Sequence, residues 1–465
     1  MKKQGERSIT VVGGGLAGCE CALQLASFGH SVVLHEMRPQ LTTPAHRTEQ
    51  LAELVCSNSF GSLSPLSAPG QLKWEAREMG SFILRAAEKT RVPAGQALGL
   101  DREQFARQIT QWVEQHPRIE IRRSLVSSLE EIPRPAVIAT GPLTHEALAK
   151  SLQNHLDSVG GEAATGVANF LYFFDAIAPI VAADSIDYSV AWRADRYDKG
   201  TPDYLNCPLD KDEYLRLVEE IGNGRKVEAK AFESTPFFES CLPIEVMVER
   251  GPQTLRFGPL KPVGLRDPRT GRVPYAVVQL RAENLDRTCY NLVGFQTRLA
   301  YGEQTRIFRQ IPGLALAEFL KLGSMHRNLF VNSPARLSAD LSSRRDPLLF
   351  FAGQITGVEG YFESTCTGLL VARFLHQKLT DQKVLFPPRE TAMGSLLHAI
   401  SDPLRAPHFQ PTNINFGLFP PARDDIKDKT LRKELQIERA RNAMSTFLSA
   451  GGEKLSPSPL NLHNL

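Results

Sequence analysis

Two cysteines and one cluster of glycines are the residues of this chain best suited to chemistry. Cys56 stands in "ELVCSNSF", Glu53 to Phe60, where Ser57, Asn58 and Ser59 give it a polar, hydrogen-bonding setting. Cys241 stands in "FFESCLPIEVMVERG", beside Pro243 and between Glu239 and Glu245. A thiolate is a strong nucleophile and a competent base, yet an isolated cysteine is more often a small, inert core residue. To ionise near neutrality it needs a cation or a helix N-terminus close by. By proximity in sequence, His46, Arg47 and the loop Arg256–Lys261 are the candidates. From residue types alone, Cys56 reads as core residue, disulfide half or nucleophile.

The glycines are more specific. In "SITVVGGGLAGCECALQLASFGHSVVLHE", Gly13, Gly15 and Gly18 fit G-x-G-x-x-G between an apolar strand, "ITVV", and a helical pattern that ends at Gly29. A second strand follows and closes on Glu36, eighteen residues after Gly18. Such a unit binds a dinucleotide. One glycine allows the tight turn, the next lets the backbone approach a pyrophosphate, and the third lets helix pack on strand. Gly14, Leu16 and Ala17 complete the backbone around the helix N-terminus, whose free N–H groups and dipole favour phosphate. Glu36 is expected to accept hydrogen bonds from ribose hydroxyls.

Two later segments favour FAD over NAD. "AVIATGP", carrying Gly141, and "LLFFAGQITGVEGY", carrying Gly353, Gln354 and Gly357, are buried-type strands running into Gly-rich turns. Both resemble elements that two-dinucleotide-fold flavoproteins place around bound FAD. These segments lie far apart in sequence, so an intervening domain must be inserted between them. The expected architecture is α/β: a Rossmann-like FAD-binding domain of two-dinucleotide-fold type with an inserted α+β substrate domain. Composition places the first FAD part at residues 1–185, the insert at 186–329, and the second FAD part with a C-terminal helix at 330–465.

The bulk properties set bounds on function. At 465 residues the chain exceeds one ordinary core. Its most apolar stretch, "ANFLYFFDAIAPIVAA", is interrupted by Asp175 and Pro179, so no membrane span is expected. No secretion signal is read at the N-terminus, and the seven cysteines lack zinc-ligand spacing. A cytoplasmic protein with reduced thiols and no metal is the expectation. Net charge is only +3, but Arg250 to Arg309 holds 11 Lys/Arg against 4 Asp/Glu. The loop "RFGPLKPVGLRDPRTGR" inside it is a solvated surface loop or a phosphate contact.

Ordered strings along nearly the whole chain resemble the folate- and FAD-dependent tRNA (uracil-5-)-methyltransferase family. They include "GGGLAG", "EMRP", "TPAHRT", "AELVCSNSF", "YDKGTPDYLNCP", "CLPIEVMVERG", "TLRFGPLKPVGL", "YNLVGFQT", "GQITGVEGYFES" and "FQPTNINFGL". The resemblance implies FAD as cofactor, with 5,10-methylenetetrahydrofolate as carbon donor and NAD(P)H as the source of reducing equivalents. It implies tRNA as partner, with 5-methyluridine in the T-loop as product; a related enzyme modifies a ribosomal RNA uridine by the same chemistry. Cys56 and Cys241 fall on the family's two catalytic cysteines. We expect Cys241 to add to uracil C6, and Cys56 to act as base or to shield the one-carbon cargo.

Three features depart from the family pattern. Cys19 replaces a usual serine, Cys366 stands among small residues in "ESTCTG", and Phe60-Gly61 replaces an expected Leu-Arg, which puts a basic contact in doubt. Three rival readings remain, one of them the larger tRNA wobble-uridine flavoprotein relative, a longer family with a helical C-terminal domain for which no room is expected after Arg423. An FAD-dependent NAD(P)H oxidoreductase would want a close redox pair, for which only Cys19-x-Cys21 offers itself. A non-catalytic FAD-bound RNA-binding protein would need neither Cys56 nor Cys241.

Overall fold

The computed structural model describes residues 8–43, 45–157, 170–176, 178–198, 202–227, 242–421 and 428–450. Cys241 lies outside the described residues. The strand Ile9–Val12 is buried at all four positions and sits at the centre of a five-stranded parallel sheet. Val32–Glu36 and then Ile119–Arg123 lie on one side of it, and Ala136–Ile138 and then Leu349–Phe351 on the other. A central parallel strand has both faces covered, which is why "ITVV" is continuously apolar rather than alternating.

Two helices cover one face of this sheet. Leu16–Ser27 is buried at every position but its last, because the long helix Tyr361–Leu379 lies against it. That approach needs small residues: a Cβ on Gly368 would come within 2.3 Å of the Ala17 carbonyl oxygen. The sheet therefore draws on both ends of the sequence, and its core is one contiguous cluster running from Ile9 to Leu448.

A second core, from Ala178 to Ala317, belongs to the middle of the chain. Its sheet has six strands in the order Trp192–Ala194, Tyr204–Leu209, Ala276–Ala282, Cys289–Leu292, Ile180–Ala182 and Phe319–Lys321, with antiparallel pairings throughout. Helices Lys211–Asn223 and Tyr301–Phe308 bury Leu217, Ile221, Ile307 and Phe308 in that core. The chain passes between the two units along an antiparallel ribbon, Phe170–Ala176 against Met325–Val331. Ile180–Ala182 already belongs to the second sheet, so the crossing precedes the 185/186 boundary read from composition. The two units make an α/β fold with an α+β insertion. The mixed-charge tail forms the helix Lys429–Ser449, which buries Ile437, Ala440, Met444 and Leu448. Among the described residues no helix is long and apolar enough to cross a membrane.

Candidate functional site

The carboxyl ends of the parallel strands open onto a cleft with about 1050 Å³ of empty space. It lies where the chain reverses direction about the central strand, the position at which open α/β sheets bind ligands. Gly13, Gly14, Gly15, Leu16 and Ala17 form one wall. Glu36, Gly141, Gly353, Gln354 and Tyr361 also line the cleft.

Each fingerprint glycine answers to a different constraint. Gly13 has φ +106°, which other residues rarely adopt. A Cβ on Gly14 would meet Leu51 Cδ2 at 2.5 Å and Glu36 Oε2 at 2.7 Å. A Cβ on Gly18 would come within 1.9 Å of the Gly13 carbonyl oxygen, so Gly18 serves helix packing and does not line the cleft. Gly15 alone faces open space, with no atom within 4 Å of its Cβ position. It is also the N-cap of Leu16–Ser27, and no side chain caps that helix. An uncapped helix N-terminus behind a bare backbone fits a pyrophosphate. The second long helix starts in the same way: Gly360 caps Tyr361–Leu379 without a side chain, and Tyr361 and Ser364 line the cleft. Gly357, predicted as a cofactor contact, instead packs against the Phe409 ring, which a Cβ would meet at 2.5 Å. Its φ of +83° and this contact explain the glycine without a ligand.

Glu36 is more heavily engaged than its predicted ribose role requires. Its carboxylate accepts from Gly14 N–H at 2.9 Å, from Arg38 N–H at 3.0 Å and from Arg38 Nε at 2.9 Å. Burial works to raise its pKa, yet these donors hold it below the ordinary carboxylate value. Arg38 is only 2% exposed and also donates to Glu53 at 3.2 Å. Glu53 in turn accepts from the backbone N–H groups of Arg47 and Thr48. This chain of charges ties the strand end to the segment that carries Cys56.

Cys56 is partly exposed, and its backbone N–H donates to the Tyr361 hydroxyl at 2.7 Å. The Tyr361 hydroxyl also hydrogen-bonds the Cys56 side chain. Burial foremost, and then Cys56, raise the Tyr361 pKa well above the ordinary phenol value, so the hydroxyl stays neutral. Phe60 fixes the Tyr361 ring from behind, at 6.1 Å between centroids, and is itself held by Phe105 and Phe362 at 5.6 and 5.8 Å. The unusual Phe60 is thus a buried packing residue, while Gly61 next to it is exposed with φ +76°. On the other side, Arg102 Nη1 donates to the Leu54 carbonyl at 2.7 Å and Lys321 Nζ to the Val55 carbonyl at 3.0 Å. Asn58, fully buried, donates to the carbonyls of Leu100 and Ala282 and accepts from Arg281 Nε. The Leu54–Asn58 segment is therefore clamped between the FAD-type unit and the insertion.

The cations proposed from sequence are largely replaced by others. His46 does line the cleft, but burial and the Arg38 charge lower its pKa to about 4, so it is a neutral imidazole. Arg256 is spent within the insertion, donating to the Tyr275 carbonyl and lying 4.3 Å over that ring. Arg102 and Lys321 are two charges that interact with Cys56. Neither stands near Cys56 in sequence. Lys321 has no motif signal at all, whereas Tyr361 was within reach of the "GVEGYFES" string.

Cys19 and Cys21 are fully buried, Cys19 Sγ donating to the Gly14 carbonyl at 3.3 Å. Burial drives both thiols far above the ordinary range, as it does Cys366. They are inert packing residues, so the Cys19-x-Cys21 pair is unsuited to redox exchange. Among the described residues no group of His, Cys, Asp and Glu could hold a metal ion.

The model of the family described as glucose inhibited division protein A matches residues 8–383. The methylenetetrahydrofolate–tRNA-(uracil-5-)-methyltransferase TrmFO of Bdellovibrio bacteriovorus is 68% identical over 441 residues, covering 95% of this chain and 98% of that one. Its namesake from Myxococcus xanthus is 50% identical over 460 residues, covering 98% and 97%. Among solved structures, Aquifex aeolicus GidA superposes with a TM-score of 0.64 at 14% identity, over 97% of this chain and 75% of that one. That likeness speaks for the fold alone. With the family's model matched over most of its length and relatives this similar end to end, the chain belongs to the glucose inhibited division protein A family, in its methylenetetrahydrofolate–tRNA-(uracil-5-)-methyltransferase branch.

Proposed function

We propose that this protein is a folate- and FAD-dependent RNA methyltransferase that converts a uridine of tRNA, in the T-loop, to 5-methyluridine. 5,10-Methylenetetrahydrofolate is the one-carbon donor and NAD(P)H restores the reduced flavin, in the cytoplasm. One observation carries the reading beyond family membership: Cys56 is hydrogen-bonded to Tyr361, which itself lines the dinucleotide cleft. This contact ties the Cys56 backbone to the cleft lining and supports a role for its thiol beside bound flavin.

The backbone N–H groups around Gly15 to Ala17 would hold the FAD pyrophosphate, with the adenosine end at Glu36 and the flavin end at Gly353, Gln354 and Tyr361. Bound FAD supplies the reducing equivalents that complete the methyl group. Uracil C5 is a poor nucleophile, so a thiolate must first add at C6, converting the C5–C6 double bond into an enolate that is nucleophilic at C5. We assign that addition to Cys241 Sγ. After C5 has taken the carbon, Cys56 Sγ accepts the C5 proton, and release of the Cys241 thiolate from C6 restores the double bond. The target base must leave its stack to reach the cleft. The basic excess of Arg250–Arg309, 11 Lys/Arg against 4 Asp/Glu, favours contact of the insertion with RNA phosphates.

The test is direct. Purified protein is incubated with methylenetetrahydrofolate, NADPH and unmodified tRNA or rRNA, and 5-methyluridine is mapped by mass spectrometry. We expect product in the tRNA T-loop; product on rRNA alone would reassign the substrate, and none on either RNA would overturn the reading. Covalent RNA trapping by Cys241→Ala would reverse the roles of the two cysteines.

A further inference from the structure

The Leu54–Cys56 stretch meets two cations from two different units of the fold. Arg102 comes from the first turn of the helix Arg102–Glu114 in the FAD-type unit, and Lys321 from the last residue of the strand Phe319–Lys321 in the insertion. Both anchor on carbonyls, of Leu54 and Val55, and so stand at the residues just before Cys56. Arg102 also pairs with Glu283, yet its Nη2 is buried with no hydrogen-bond partner. Two cations brought together at low solvent exposure repel each other, and such an arrangement persists where an anion offsets it. Glu283 answers one of the two charges. The Cys56 thiol is an ionisable group that interacts with both cations.

We infer that Lys321, carried by the insertion, acts with Arg102 as the positive charge that keeps Cys56 Sγ ionised, making Lys321 a positioning residue for the thiolate. The inference rests on the proposed chemical role of Cys56, and goes beyond it by naming the source of the charge.

The electrostatics of Lys321 fit this arrangement. Burial foremost, then the Arg102 and Arg47 charges, lower its pKa to about 8, and Cys56 pulls in the opposite direction. The other titratable groups facing the cluster include Glu283, engaged by Arg102, the neutral Tyr361 hydroxyl, the neutral His46, and Cys289, whose thiol pKa burial pushes up. Tyr361 adds a donor without charge. Because Lys321 belongs to the insertion, ionisation of Cys56 depends on how the insertion is seated, and RNA bound to the insertion can act on the thiol through it.

The experiment reads the thiol itself. Alkylation of Cys56 by iodoacetamide in the full-length protein is followed across pH, with the Cys56 peptide quantified by mass spectrometry. The wild-type midpoint is expected below the ordinary thiol value of about 8.5. Lys321→Gln keeps a donor for the Val55 carbonyl but removes the charge; its midpoint should rise by at least one pH unit, about a tenfold loss of thiolate at pH 7. Lys321→Arg should stay within a few tenths of wild type. A wild-type midpoint at or above 8.5 overturns the inference without any variant. So does a Lys321→Gln midpoint unchanged in a protein with wild-type circular dichroism. The readout needs neither folate nor RNA, so its failure is separable from failure to form 5-methyluridine.

Discussion

Gly14 and Gly15 are neighbours in one loop, yet alanine should affect them in opposite ways. Gly15 has φ −80° and ψ −171°, an extended conformation open to any residue, and its Cβ would meet no protein atom within 4 Å. Gly15→Ala should therefore leave the apoprotein as stable as wild type, or more stable by about 0.4–1 kcal/mol through a less flexible unfolded chain. The added methyl would instead stand where the pyrophosphate approaches the helix N-terminus, and FAD affinity should fall at least tenfold, about 1.4 kcal/mol. Gly14→Ala would drive its methyl into Leu51 and the Glu36 carboxylate at 2.5 and 2.7 Å. That is overpacking against a buried ion pair, and the apoprotein should lose roughly 1–3 kcal/mol. Urea denaturation of the flavin-free proteins and fluorescence titration with FAD separate the two effects. A Gly15→Ala protein that binds FAD as tightly as wild type would refute this assignment of the loop.

Three further outcomes follow from the packing around the site. Phe60→Ala should cost roughly 3–5 kcal/mol, because a buried ring wedged among Phe105, Tyr361 and Phe362 is lost; Phe60→Leu should recover most of this in a urea melt. Asn58→Ala removes three hydrogen bonds, two of which join the FAD-type unit to the insertion, leaving Arg281 Nε and two carbonyls to find new partners. A loss of about 1–3 kcal/mol and faster hydrogen exchange at Leu100 and Ala282 are expected. Glu75 caps the helix Ala392–Ser401, accepting from Ala392 and Met393 N–H at 2.7 and 2.8 Å, and burial raises its pKa to about 7. A raised carboxyl favours folding while it is protonated. Its contribution is complete below the ordinary value near 4.5 and is lost as pH rises through about 7. Glu75→Gln should flatten that part of the stability–pH curve by on the order of 1–3 kcal/mol, measured by denaturation at pH 5 and pH 8.

The dinucleotide cleft was legible in the sequence because its determinants are local. The turn, the helix N-terminus and the acid at the end of the next strand all fall within "VVGGGLAG…VVLHE", and each glycine position follows from backbone geometry over a few residues. "AVIATGP" and "LLFFAGQ" were readable as partner strands because central parallel strands are apolar on both faces. The insertion was visible as a change in composition, although the ribbon that joins it to the rest depends on pairing residues more than 140 positions apart in sequence. The packing of Gly357 was hidden for the same reason: a glycine in a Gly-rich turn looks like a ligand contact, and only the tertiary structure brings the Phe409 ring against it.

The setting of Cys56 was decided by tertiary structure alone. Charge interactions depend on distance in space, and the groups that converge on this thiol come from positions 102, 321 and 361. Proximity along the chain pointed to His46, but the same burial that brings it into the cleft removes its charge. Sequence determined that the chain builds a dinucleotide cleft and carries a cysteine near it. Only the packing of the insertion against the FAD-type unit determined which charges that cysteine meets.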